Sequence, residues 1–170
     1  GKSVGKIATG EDIANYVDNI EGEDESKKPK LVKIDEDGVT FKSFRDGSEH
    51  RFTPERSMEI QNNLGADIIF AFDECTSPLV PLEYQRQAME RTHRWAVRSL
   101  EHHKKLQNDV PENKKQALFG IIQGGRFEDL RKESAQVIGA MDFDGFGIGG
   151  SFTKEDMATA VKWVNEILPE

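Results

Sequence analysis

The sequence predicts an α/β protein in which three consecutive strand-helix units build a parallel sheet with helices outside it, preceded by a small antiparallel β meander. Three observations predict it. Three short apolar runs, in ADIIFAF, ALFGIIQGG and FDGFGIGG, are each followed by a longer segment whose apolar residues recur at three- and four-residue steps. The second and third runs end in glycines. Upstream, the alternating stretch LVKIDEDGVTFKSFRDGSEHRF is broken by Asp37-Gly38 and Asp46-Gly47, the dipeptides that turn hairpins.

Taken in order, residues 1–30 read as an irregular N-terminal segment, and EGEDESKKPK within it as a solvated loop. Residues 31–52 read as the three-stranded meander. Residues 53–170 hold a helix and the three strand-helix units. Thr53 is a good N-cap and Pro54 suits the first helical position. That helix should run to about Asn63 and stop at Gly65. ADIIFAF lacks polar alternation, the mark of a strand buried on both faces. In the long helical pattern after Pro81, the residues Ala88, Thr92, Trp95, Ala96, Ser99 and Leu100 share one face. QNDVPENKKQ connects to the second strand. RFEDLRKESAQVIGAM is the second amphipathic helix of the set, and TKEDMATAVKWVNEILPE the third, with Thr153 as its N-cap. A closed barrel and an open doubly wound sheet both fit this order, and three units are too few to close an eight-unit barrel.

Composition narrows the class. With 170 residues, 36% hydrophobic and 32% charged, the chain matches a soluble globular domain. No stretch approaches the length of a membrane span, and GKSVGKIATG lacks the apolar centre of a signal peptide. One cysteine fits a reducing, cytoplasmic setting. A net charge of −8 advertises no phosphate-gripping face.

In either parallel architecture a ligand sits beyond the carboxyl ends of the strands. Asp73-Glu74-Cys75, Gln123-Gly124-Gly125 and Gly149-Gly150-Ser151 occupy those ends, so three segments should converge on one rim. A carboxylate, a carboxamide and glycine amides without Cβ atoms match the edge of a guanine-like base. Each has a plainer alternative: a strand-end Asp as turn residue, a Gly pair as turn, Cys75 as packing. There is no phosphate loop of the GxGxxG or GxxxxGK[ST] type. His102-His103 point about 100° apart on a helix, so the expectation is a solvated face, not a chelating pair. His50 and His93 show no evident partner, and Trp95 and Trp163 are expected in the core.

GADIIFAFDECT, ALFGIIQGG and FDGFGIGG, in this order and spacing, resemble the tRNA-guanine transglycosylase (queuine tRNA-ribosyltransferase) family, in its bacterial and eukaryotic queuine type. DGVTFKSFRDGSEHRFTPERSMEIQNNLGADI resembles the hairpin and helix before that strand. The resemblance implies that the chain is part of a (β/α)8 TIM barrel. It implies exchange of guanine at the tRNA wobble position for a 7-deazaguanine base, queuine or its precursor, through a covalent tRNA-enzyme intermediate. It implies tRNA and the free base as partners, a homodimer as the parent form, and zinc held elsewhere in the parent. Carried over by position, Asp73 and Gln123 match base-binding residues, Gly150 with Gly149 beside it matches the glycine whose backbone meets the base, and Cys75 matches a pocket cysteine. Ser151 replaces a usual leucine, and Glu155 stands where a glutamate accepts an aminomethyl group on the base. The general acid/base aspartate, in TDSGGFQ, is expected before Gly1. The nucleophilic aspartate, the basic tRNA-facing segment and the Cys3His zinc site are expected after Glu170. On that reading the chain is a middle slice holding base-recognition residues, no catalytic residue and no metal ligand, and it is inactive alone. The alternative is a non-catalytic, tRNA-binding partner subunit of the same family.

Overall fold

The computed structural model describes residues 32–150 and 154–168. The segment 21–30, Thr153 as N-cap and Ser151 lie outside the described residues, as does the side chain of Glu155. The architecture is mixed α/β, with one antiparallel and one parallel sheet of three strands each.

The meander consists of β1 (Val32–Ile34), β2 (Val39–Lys42) and β3 (Glu49–Phe52). Val39 stands opposite both Ile34 and Phe52, so the strands pair in simple antiparallel register. Its turns are made by aspartates. Asp35 accepts from the amides of Asp37 and Gly38, and Asp46 accepts from that of Ser48. Helix α1 (Pro54–Leu64) begins as predicted: the Thr53 hydroxyl accepts from the Arg56 amide. It ends at Gly65, which is left-handed at φ 72°.

The parallel sheet runs β4 (Ile68–Phe70), β5 (Ala117–Ile122) and β6 (Gly145–Ile148) in sequential order. Between them lie α2 (Leu82–Leu106), a short 3-10 turn (Glu112–Lys114) and α3 (Glu128–Gly139), and α4 (Lys154–Asn165) follows β6. Leu118 and Ile122 of β5 and Ile69 of β4 are fully buried against the helices, with Met58 from α1, Ala96 from α2, Ala135 and Ile138 from α3, and Val164 from α4. Each of the larger side chains in this set contributes roughly 1.5–3 kcal/mol of burial free energy, and the two alanines less.

The expectation that β4 is buried on both faces is corrected: only Ile69 is buried, while Ile68 and Phe70 are 53% and 44% exposed. The described helices cover one face of the sheet. On the other face the rings of Phe70 and Phe119 meet edge to face at 5.8 Å. They lie over Gly145 and Gly147, where a Cβ would come within 2.5 Å of Phe119 and 3.0 Å of Phe70. Those two glycines make room for aromatic rings rather than a turn.

The predicted stripe on α2 holds. Ala88, Thr92, Trp95, Ala96 and Ser99 are buried, and Leu100 packs at the margin of the core. Trp95 stacks on Phe72 at 4.9 Å and donates its indole N–H to the Glu36 carbonyl at 2.7 Å, docking the β1–β2 turn on α2. Arg94 pairs with Glu36, and Arg98 grips Glu55 of α1 with two bonds of 2.7 and 2.8 Å. Trp163 is only half-buried, a correction to the expectation of a core position; it lines a small cleft with Arg126 and Asp156. His103 is buried, not solvated as expected, and faces the Gln116 carbonyl at 3.1 Å. His50 stacks on Phe41, and His93 meets the Ser134 hydroxyl at 3.1 Å, so both have partners that the sequence concealed.

Candidate functional site

The carboxyl ends of β4, β5 and β6 lie side by side, because the three strands are hydrogen-bonded neighbours running in one direction. Three small hydroxyls from the helices hold the backbone there. Ser99 accepts from the Phe72 amide at 3.1 Å, Thr92 from the Glu74 amide at 3.0 Å, and Ser134 from the Gln123 amide at 3.2 Å. All three hydroxyls are buried, so each bond replaces a ladder bond that the ended strand no longer supplies.

On this frame Asp73 and Gln123 meet. Gln123 Nε2 donates to Asp73 Oδ2 at 2.6 Å across fifty residues of chain. Gln123 is buried, and burial raises the Asp73 carboxyl above the usual carboxylate range, the bond from Gln123 opposing that shift. Cys75 is exposed on the rim. Its thiol is pushed up by desolvation and by the Asp73 charge, and held down by contacts with the Gln123 side chain and the Gly150 amide.

Gly149 closes the group. A Cβ there would stand 2.5 Å from Gln123 Nε2, so any larger residue would displace the carboxamide. Gly150 follows at φ 125°, a conformation that L side chains rarely adopt. Asp73, Cys75, Gln123, Gly149 and Gly150 are therefore one constellation. Ser151 and the Glu155 side chain lie outside the described residues.

Sequence reasoning treated the carboxylates of Asp73-Glu74 together, and the structure separates them. Glu74 turns away from Asp73 into a buried pair with Arg91 and accepts from the Tyr84 hydroxyl at 2.6 Å. It also missed Arg131. This fully buried residue of α3 donates to the carbonyls of Ile122 at 2.9 Å, Gly125 at 2.8 Å and Gly149 at 2.7 Å. Desolvation lowers its guanidinium to about 10. A signal existed: Arg131 lies in the same three- and four-residue stripe as Ser134, Ala135 and Ile138, so one cation interrupts a core face.

Among the described residues no group of three or more His, Cys, Asp or Glu could hold a metal ion. No described helix is long and apolar enough to cross a membrane.

A profile of the family described as queuine tRNA-ribosyltransferase matches residues 20–170. The chain belongs to the queuine tRNA-ribosyltransferase family. A queuine tRNA-ribosyltransferase of Thermoanaerobacter sp. (strain X514) is 50% identical over 143 residues, which is 82% of this chain and 36% of that protein. One of Herpetosiphon aurantiacus is 51% identical over 140 residues, 81% of this chain and 34% of its own length. A relative in Archaeoglobus fulgidus that provisionally bears the same name is 46% identical over 169 residues, 98% of this chain. The chain spans 34% to 40% of the length of these queuine tRNA-ribosyltransferase relatives.

Proposed function

We propose that this chain forms the base-recognition wall of a tRNA-guanine transglycosylase, an enzyme that exchanges guanine at the tRNA wobble position for a 7-deazaguanine base. The observation that carries the reading is the Asp73–Gln123 contact at 2.6 Å, made by two strand ends fifty residues apart beside the Gly149-Gly150 backbone. The family membership of residues 20–170 supports it.

In this reading the ionised Asp73 accepts from N1–H and the exocyclic amine of the base. Gln123 fixes that carboxylate and offers its remaining amide atoms to the ring edge. The Gly150 amide donates to the base carbonyl, and Cys75 packs at the rim. By the family resemblance, Ser151 stands in the base-binding set where a leucine is usual, and Glu155 where a glutamate accepts an aminomethyl group on the base. These residues bind and orient the base after it leaves its stack; a nucleophile and a general acid/base from other parts of the parent carry the covalent exchange. The three strand-helix units are consecutive parts of a (β/α)8 barrel, with residues 1–170 as one partial domain and the meander packed outside it. By the family resemblance, zinc belongs to other parts of the parent, held by a Cys3His set. The parent acts in the cytoplasm on tRNA, as a homodimer.

The test is guanine binding to the full-length protein by titration calorimetry. Asp73→Asn is expected to weaken binding at least about tenfold, the equivalent of about 1.4 kcal/mol, with thermal stability retained. Unchanged affinity in that variant, or no binding by the wild type, would refute the reading. A second reading, a non-catalytic partner subunit, would show base binding without exchange on tRNA.

A further inference from the structure

The Gly149–Gly150 peptide is held from beneath. Its carbonyl, on Gly149, accepts from Arg131 Nη1 at 2.7 Å, and the Gly149 amide donates to the Ile122 carbonyl at 3.0 Å. That Ile122 carbonyl is itself bonded to the same guanidinium at 2.9 Å. Arg131 thus ties the ends of β5 and β6 at one point, and its Nε secures the intervening turn at the Gly125 carbonyl. Among the described residues every peptide bond is trans. In a planar trans peptide the C=O and the following N–H point in opposite directions. With the Gly149 carbonyl drawn inward, the Gly150 N–H must face outward, toward the mouth.

A glycine pair has little intrinsic preference to hold such a peptide one way up, because neither residue carries a Cβ. Flipped, it would present an acceptor to the mouth instead of a donor. The choice therefore belongs to whatever binds the carbonyl. We infer that Arg131 is a positioning residue that locks the Gly149–Gly150 peptide with its N–H toward the pocket, so that the site selects ligands carrying a ring acceptor at that point. The inference rests on the base-binding reading above and adds to it the residue that sets donor against acceptor.

Two purines separate this role from a merely structural one. 6-Thioguanine retains the N1–H and exocyclic amine of guanine and replaces only the carbonyl oxygen with a weaker acceptor. In the full-length protein the wild type is expected to bind guanine about tenfold more tightly than 6-thioguanine, the scale of one good hydrogen bond. Arg131→Met should bring that ratio close to one, chiefly by weakening guanine. General loosening would lower both affinities and leave the ratio unchanged, and that result overturns the inference. If Arg131→Met fails to fold, Arg131→Lys, which retains stem and charge but not the fork, carries the same measurement. Independently of any variant, NMR of glycine-labelled wild type should show the Gly150 amide shifting more with guanine than with 6-thioguanine; an amide indifferent to guanine also overturns it. A wild type that binds neither purine refutes the base-binding reading, whereas a preference that survives both substitutions refutes Arg131 alone.

Discussion

Adjacent carboxylates at the end of β4 have opposite work. Asp73 lies in the mouth with its pKa raised by burial, and Glu74 is locked beneath it against Arg91 and Tyr84. On the proposed reading, base binding needs Asp73 ionised, so guanine affinity should begin to fall, as pH is lowered, above the usual carboxylate range; Asp73→Asn should remove that limb. Calorimetric titrations across acidic pH check this, and a profile that breaks only at the ordinary carboxylate value would contradict it. Glu74→Ala should cost stability instead, about 3 kcal/mol, because it removes the close partner of the largely buried Arg91 cation and leaves it only Glu36 at 3.7 Å. Chemical denaturation reads that loss, and denaturation unchanged by the substitution would contradict the assignment. At this scale Asp73, Gln123 and the Gly pair were legible, since a strand end declares itself through the apolar run before it. Glu74 and Arg131 were not: Glu74 pairs with side chains of α2, and Arg131 of α3 pairs with the carbonyls of Ile122, Gly125 and Gly149, and no spacing rule specifies which way a helix turns such residues.

At the scale of elements, the helix starts and stops were written in caps, as at Thr53 and Gly65. The strands were overdrawn at β4. ADIIFAF reads as one run, yet the ladder spans only Ile68–Phe70, because backbone pairing depends on neighbours that a local pattern cannot supply. The polar members of the apolar stripes were the concealed information: Thr92, Ser99 and Ser134 are core residues whose hydroxyls finish the strands. The α1–α2 contact is held partly by Glu55 and Arg98. The Arg98 hydrogen bonds draw the Glu55 carboxyl down from 4.5 to about 2. A depressed folded-state pKa adds stability that is complete above pH 4.5 and fades as pH drops toward 2. The contribution is about 1 kcal/mol once solvent screening of this part-exposed pair is allowed for. Urea midpoints should therefore fall across that window, and Glu55→Gln should flatten the fall.

For the molecule as a whole, the parallel order was readable from alternating runs and helices, and the meander from its Asp-Gly turns. The uncovered sheet face was not readable: apolar residues look alike whether their cover lies in the same chain or elsewhere. Ile68 and Phe70 present that face to solvent in this chain. On its own the 170-residue chain is expected to self-associate at micromolar concentration. Sedimentation velocity tests it, and a clean monomer would mean that this face is covered by residues outside the described ones.

One part of that surface is already defended. Gln61 of α1 donates its amide to the Phe70 carbonyl at 2.9 Å and accepts from the Phe70 N–H at 3.1 Å. A single side chain thus imitates a passing strand and occupies the open margin of β4. Helix and sheet margin are consequently coupled: fraying of α1 at Gln61 would bare the Phe70 N–H and C=O as a template for intermolecular strand pairing.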